Sequence, residues 1–218
     1  MKLLLTSSGN TNKSIEKALL ELLKKPYQDS NITFIPTAAN VEKGDKSWLV
    51  DDMHNFRKLN FSLFDIVDIS TVPKALWLPS FEKADILVFG GGNVNYLLEW
   101  MKKLRVKEHL KKLSETKIYV GISAGSMVTA KNISLSSSGI LYYEETGKLE
   151  NIVGLGFVDF EIRPHLNSKW FPKVRLDYLE KLAKKTQGIF YAIDDNTAIK
   201  VVDGKVSVIS EGKWRKFN

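Results

Sequence analysis

Short apolar runs recur at wide intervals along the chain, and stretches of helical length with one apolar face fill most of the gaps between them. This alternation is the strongest constraint on the fold. Lys2 to Thr6, Ile32 to Pro36, Ile66 to Ile69, Asp85 to Phe89 and Lys117 to Ile122 read as strands. Ile86-Leu87-Val88-Phe89 is apolar at every position, as a strand covered on both faces must be, whereas a strand with one wet face would alternate. Helices are predicted over Ser14 to Lys25, where Ile15, Ala18, Leu19, Leu22 and Leu23 repeat at helical spacing, and over Lys46 to Lys58, Asn95 to Lys103 and Val106 to Leu113. Strands that alternate with helices predict a parallel sheet covered on both faces.

The last third changes character. Gly156 to Ile162, Ile189 to Ile193, Thr197 to Val202 and Lys205 to Ile209 are strand-like with few helical stretches between them, and Asp203-Gly204 joins the last two as a hairpin turn. The expected fold is therefore α/β: a mostly parallel wound sheet flanked by helices on both faces, with antiparallel strands at the C-terminal edge. No repeat, low-complexity tract or linker divides it, so residues 1–218 are expected to form a single domain.

Composition removes several function classes. The chain has no cysteine, which excludes disulfides, thiolate metal sites and a cysteine nucleophile. The three leucines after Lys2 are too few for a signal peptide, and no stretch approaches the roughly 18 apolar residues of a membrane span. A soluble, cytoplasmic protein is expected, with no membrane partner. The net charge of +7 invites an anionic partner, but the lysines fall in scattered pairs such as Lys24-Lys25 and Lys111-Lys112, the pattern of solvated helix faces, so no nucleic-acid partner is expected. A homodimer is left open.

Four candidate chemical groups lie at the ends of predicted strands, where open sheets of this type place their sites. Ser123, in Gly121-Ile122-Ser123-Ala124-Gly125, stands where a buried strand turns sharply into a run of small residues, a setting that projects a hydroxyl from the sheet edge. Its base must be one of three histidines. His54 and His109 lie in charged helical stretches, whereas His165 follows a strand through Arg163-Pro164, and the proline holds the preceding residue extended. Asp194 and Asp195 follow the strand ending at Ile193, and alternation lets only one of them face the imidazole. Gly90-Gly91-Gly92-Asn93 follows another buried strand and can expose backbone N–H groups to an oxyanion or a phosphate. The phosphate option lacks the Lys-Ser/Thr ending of a P-loop and the spaced glycines of a dinucleotide site.

Taken together, the segments Leu3 to Ser8, Phe34 to Ala38, Gly90 to Asn93, Gly121 to Gly125, Arg163-Pro164-His165 and Ile193 to Ala198 resemble the peptidase E family of serine peptidases and their cyanophycinase relatives over nearly the whole chain. The resemblance implies a sheet similar to that of class I glutamine amidotransferases and hydrolysis of a small peptide substrate, with no metal or organic cofactor. It implies that Ser123 is the nucleophile, His165 the base and Asp195 the third member, and that the N–H groups of Gly92 and Ala124 form the oxyanion hole. Gly91, Asn93 and Arg175 fall at positions expected to contact substrate. Peptidase E has glutamate where this chain has Asp195, which keeps Asp194 as the alternative. A characteristic segment after the nucleophile helix is replaced by Ser136-Ser137-Ser138-Gly139, so peptide hydrolysis carries over more readily than aspartyl specificity. Two other readings stand beside this one. An α/β-hydrolase esterase shares the serine turn but requires its histidine after the acid, and a non-catalytic protein could bind a small anion or nucleotide at Gly90 to Asn93.

Overall fold

A computed structural model of the chain describes residues 1–113, 116–134, 141–142, 152–185 and 188–218; the stretch from Ser136 to Gly139 lies outside them. In chain order the first strands are β1 (Lys2–Thr6), β2 (Asn31–Ile35), β3 (Leu63–Ile66), β4 (Ile86–Phe89) and β5 (Ile118–Ile122). They are followed by β6 (Asn132–Ile133), β7 (Ile152–Val153), β8 (Glu161–Arg163), β9 (Phe190–Ile193), β10 (Thr197–Val202), β11 (Lys205–Ser210) and β12 (Trp214–Phe217). The helices are α1 (Lys13–Leu23), α2 (Ser47–Arg57), α3 (Lys74–Lys83), α4 (Val94–Lys103), α5 (Val106–Leu113), α6 (Ala124–Met127) and α7 (Leu176–Ala183).

The main sheet has the order β11-β10-β1-β5-β4-β2-β3. β1 to β5 are mutually parallel, and β10 and β11 add antiparallel at one edge. Strand alternation builds two cores from one sheet. Leu3, Leu5, Leu87, Phe89 and Tyr119 face α3 to α6, while Leu4, Ile32, Phe34, Ile86, Val88 and Val120 face α1 and α2. The helices pack because their own stripes match: Ile15, Ala18, Leu19, Leu22 and Leu23 are the buried positions of α1. Asn12 starts this helix by accepting the Ile15 N–H, and Lys24 ends it in a left-handed conformation.

Three features depart from the sequence reading. The third strand runs over Leu63–Ile66 instead of Ile66 to Ile69; it is the sheet's edge, with Leu63 and Ile66 exposed, so burial leaves no clear pattern there. Helix α3, the two-residue strands β6 and β7, and strand β12 had no counterpart: Pro73 precedes α3 and Pro79 lies inside it, although Trp77 and Phe81 are fully buried. The predicted strands around 156–162 and 189–193 do not join the main sheet. Instead β8 and β9 pair in parallel, with β12 antiparallel to β9, as a separate three-stranded sheet. The reason lies in β9, whose two faces both need cover: Tyr191 and Ile193 join the core under the main sheet, and Phe190 and Ala192 join a small third core with Leu166, Val174, Leu179 and Phe217.

The register places the site. Thr6 lies opposite Ile122, and Phe89 opposite Gly121, so β1, β4 and β5 finish level and their following loops share one edge. In the second sheet Arg163 lies opposite Ala192, so the chain leaves β8 and β9 side by side.

Candidate active site

Ser123 occupies a turn that most residues avoid, with φ 47° and ψ −106°. Such a backbone costs on the order of 1–3 kcal/mol and persists only where neighbours enforce it. Its N–H donates to the Thr6 carbonyl at 3.1 Å, and the Ser126 hydroxyl donates to the same oxygen at 2.8 Å. Tyr119 ties the Gly125 carbonyl at 2.7 Å. The two flanking glycines are required by space: a Cβ on Gly125 would lie 1.9 Å from the Phe89 carbonyl oxygen, and one on Gly121 2.6 Å from the Ser126 nitrogen. Gly-x-Ser-x-Gly is thus the sequence that lets this turn press against the centre of the sheet.

The Ser123 hydroxyl lies 2.9 Å from Nε2 of His165, and Nδ1 of the same ring lies 2.7 Å from Oδ1 of Asp195. Since an ionised carboxylate only accepts, the neutral ring carries its proton on Nδ1 and presents Nε2 as an acceptor to the serine. The imidazole stacks on Phe171 at 4.9 Å between ring centres and meets Tyr142 edge-on. Ser7, buried at the end of β1, was not singled out from the sequence. Its hydroxyl donates to Asp195 at 2.7 Å and accepts the His165 backbone N–H at 2.8 Å, tying both residues to the main sheet. Burial raises the pKa of Asp195, but the hydrogen bond and charge of His165 and the Ser7 hydroxyl outweigh it, and the net shift is downward.

Beside the serine, Gly92 has φ +125°, and a Cβ there would lie 2.3 Å from the Ala38 carbonyl oxygen. Only glycine fits. Among the described residues no acceptor takes the N–H of Gly92 or of Ala124. Gly91 is close enough that its own Cβ would stand 3.5 Å from that of Ser123. These groups open onto a cleft of about 650 Å³ rimmed by Trp48, Tyr142, Trp170 and Phe171.

Comparison with known proteins matches residues 3–209 to peptidase family S51. The chain belongs to this family. It is a serine-type peptidase of the peptidase E type. Similar sequences include the uncharacterized peptidase Lmo0363 of Listeria monocytogenes, 30% identical over 79% of this chain and 82% of its own length. The uncharacterized peptidase PM1590 of Pasteurella multocida is 30% identical over 67% and 69%. A crystal structure described as a candidate peptidase E protein from Listeria monocytogenes EGD-e superposes with a TM-score of 0.78 at 26% identity, covering 97% of this chain and 98% of that one. A peptidase from an acI-B1 Actinobacterium shares the fold with a TM-score of 0.69 at 20% identity, covering 98% and 88%.

Asp194, expected as the alternative third member of the triad, and Arg175 and Asn93, expected to contact substrate, are engaged in other contacts. Asp194 turns away from the imidazole and accepts from the Asn196 N–H, the Thr197 hydroxyl at 2.7 Å and the Lys213 N–H, closing the turn between β9 and β10 against the 210–213 loop. Arg175 does not line the cleft; its guanidinium donates to the carbonyls of Ser168, Phe171 and Val174 at 2.9–3.1 Å and so fastens the loop that carries Phe171. Asn93 caps α4 by accepting the Tyr96 N–H, and its own N–H goes to Ala38.

A further residue, Asp52, does line the cleft and is only 7% exposed. Burial, together with the nearby Asp51 and Asp195, pushes its pKa up to about 7. The folded state therefore holds this proton more tightly than the unfolded chain, so stability from this group is greatest at low pH and falls as pH rises from about 4 to about 7. Asp52→Asn, which stays neutral, is expected to match wild type near pH 4 and to exceed it above pH 7, by an upper bound of roughly 4 kcal/mol. Denaturant melts at the two pH values check this; a variant less stable than wild type at pH 8 contradicts it.

Proposed function

We propose that this peptidase hydrolyses short peptides through an acyl-enzyme formed on Ser123. His165 Nε2 takes the hydroxyl proton as Oγ attacks the scissile carbonyl, and the resulting oxyanion is received by the N–H groups of Gly92 and Ala124. The imidazolium, stabilised by Asp195, returns the proton to the leaving amine. A water then enters, gives its proton to His165 and attacks the acyl carbonyl, and Ser123 recovers its hydrogen as the acid product departs. Within this scheme Gly91 borders the scissile bond. The observation that carries the reading is the unbroken relay of contacts from Ser123 Oγ through His165 to Asp195, at 2.9 and 2.7 Å. The dimensions of the cleft, about 650 Å³, support a small substrate. The absence of cysteine suits a reducing compartment, and we place the activity in the cytoplasm on that ground.

A fluorophosphonate tests the reading directly, because it reacts with an activated serine and needs no knowledge of the substrate. The expected result is one adduct per chain on the peptide containing Ser123, with parallel loss of short-peptide hydrolysis. Label distributed over other serines, or hydrolysis that survives full modification, defeats the proposal.

A further inference from the structure

The cleft that holds Ser123 is acidic, although the chain as a whole carries a net charge of +7. Glu42, Asp45, Asp51 and Asp52 line it along with Asp195, and among the described residues no lysine or arginine does. Two of these carboxylates have evident duties. Asp195 is held by His165 and Ser7, and Asp45 accepts from the N–H and hydroxyl of Ser47 at the start of α2. Asp52 has none: it is 93% buried, no described donor or cation pairs with it, and it faces the cleft from α2 beneath Gly9, where a Cβ would stand 3.3 Å from its Oδ1.

An unpaired buried carboxyl is expensive, and a site that supplies its partner from outside explains why one is tolerated. We propose, resting on the peptidase reading above, that Asp52, backed by Asp51 and Glu42, receives a cationic group of the bound peptide, an ammonium or a guanidinium. The indole ring of Trp48, 36% exposed, stands at the same cleft and can meet a cation through its π system, whereas the ring of Trp170 already carries the Lys169 ammonium at 4.8 Å from its centre. With its pKa near 7, Asp52 ionises readily at neutral pH once a positive charge arrives beside it. An aspartyl side chain would meet only like charge on this wall, so the same geometry disfavours acidic substrates.

The cation could be the peptide's own N-terminus or a basic side chain, and the assay separates the two. Wild type is given Ala-Ala-Ala, its N-acetyl form, N-acetyl-Lys-Ala-Ala and Asp-Ala-Ala. An N-terminal subsite predicts that capping Ala-Ala-Ala lowers kcat/KM by at least about tenfold; a side-chain subsite predicts that the capped lysyl peptide exceeds the capped alanyl peptide by the same factor. In Asp52→Asn the favoured ratio should collapse toward one. A measurement that needs no variant accompanies these: lysinamide should slow fluorophosphonate labelling of wild-type Ser123, and N-acetyl-aspartate should not. Equal turnover of cationic, neutral and acidic peptides, an unchanged ratio in Asp52→Asn, or equal protection by the anion overturns the inference. Labelling of wild-type Ser123 alongside any of these results confines the failure to the cation subsite, whereas absence of labelling overturns the peptidase mechanism beneath it.

Discussion

Ser123→Ala is expected to lower kcat for a cleaved peptide by at least about 10⁴-fold while leaving the fold intact. The Ser123 side chain makes one described hydrogen bond, to His165, so its loss removes no structural support. The strained turn is enforced by backbone and neighbour contacts that alanine keeps, namely the N–H of residue 123 to Thr6, the Ser126 hydroxyl to Thr6 and Tyr119 to Gly125. Circular dichroism and the melting temperature should stay close to wild type, and KM should change little where binding precedes slow chemistry. Turnover within tenfold of wild type would remove the hydroxyl from the mechanism.

The second large effect separates two adjacent carboxylates. Asp195→Asn places an amide where the imidazole requires an acceptor. An amide nitrogen turned toward Nδ1 would favour the tautomer whose Nε2 carries hydrogen and cannot accept from Ser123. A fall in kcat of about 10⁴-fold is expected, with a modest change in stability. Asp194→Asn should do the reverse. Its carboxylate accepts from Asn196, Thr197 and Lys213 at the β9–β10 turn, so losing part of that set is expected to cost about 1–3 kcal/mol and to leave kcat within a few-fold. Parallel kinetics and denaturant melts on both variants decide the matter; catalytic loss in Asp194→Asn with an active Asp195→Asn would exchange their roles.

The parallel sheet was legible because β1, β4 and β5 are buried on both faces and write that burial as unbroken apolar runs. The edge strand β3 carries a weaker signal, since its side chains are half wet. Pairing is harder to read than existence. β8 and β9 are visible as strands, but their membership of a second sheet depends on which core each face of β9 joins, and that is a tertiary fact. The same limit governs the site. Pro164 and the strand ends locate His165 and the acid pair, yet only the direction of the β9–β10 turn tells Asp194 from Asp195. Ser7 sits in an ordinary run of small polar residues, and Asp52 reads as one more charge on a polar helix until its burial is known. Arg175 shows the opposite hazard: a position carried over by resemblance whose guanidinium here is spent on loop carbonyls.

The hydroxyl and the imidazole ride on different sheets, and Ser7 is the rivet that crosses the seam between them. Prising that seam apart by a couple of ångströms would disarm the enzyme while both sheets kept all their internal pairing. Heat or denaturant should accordingly silence hydrolysis before the bulk of the chain melts, which makes activity a sensitive gauge of how the two halves are docked.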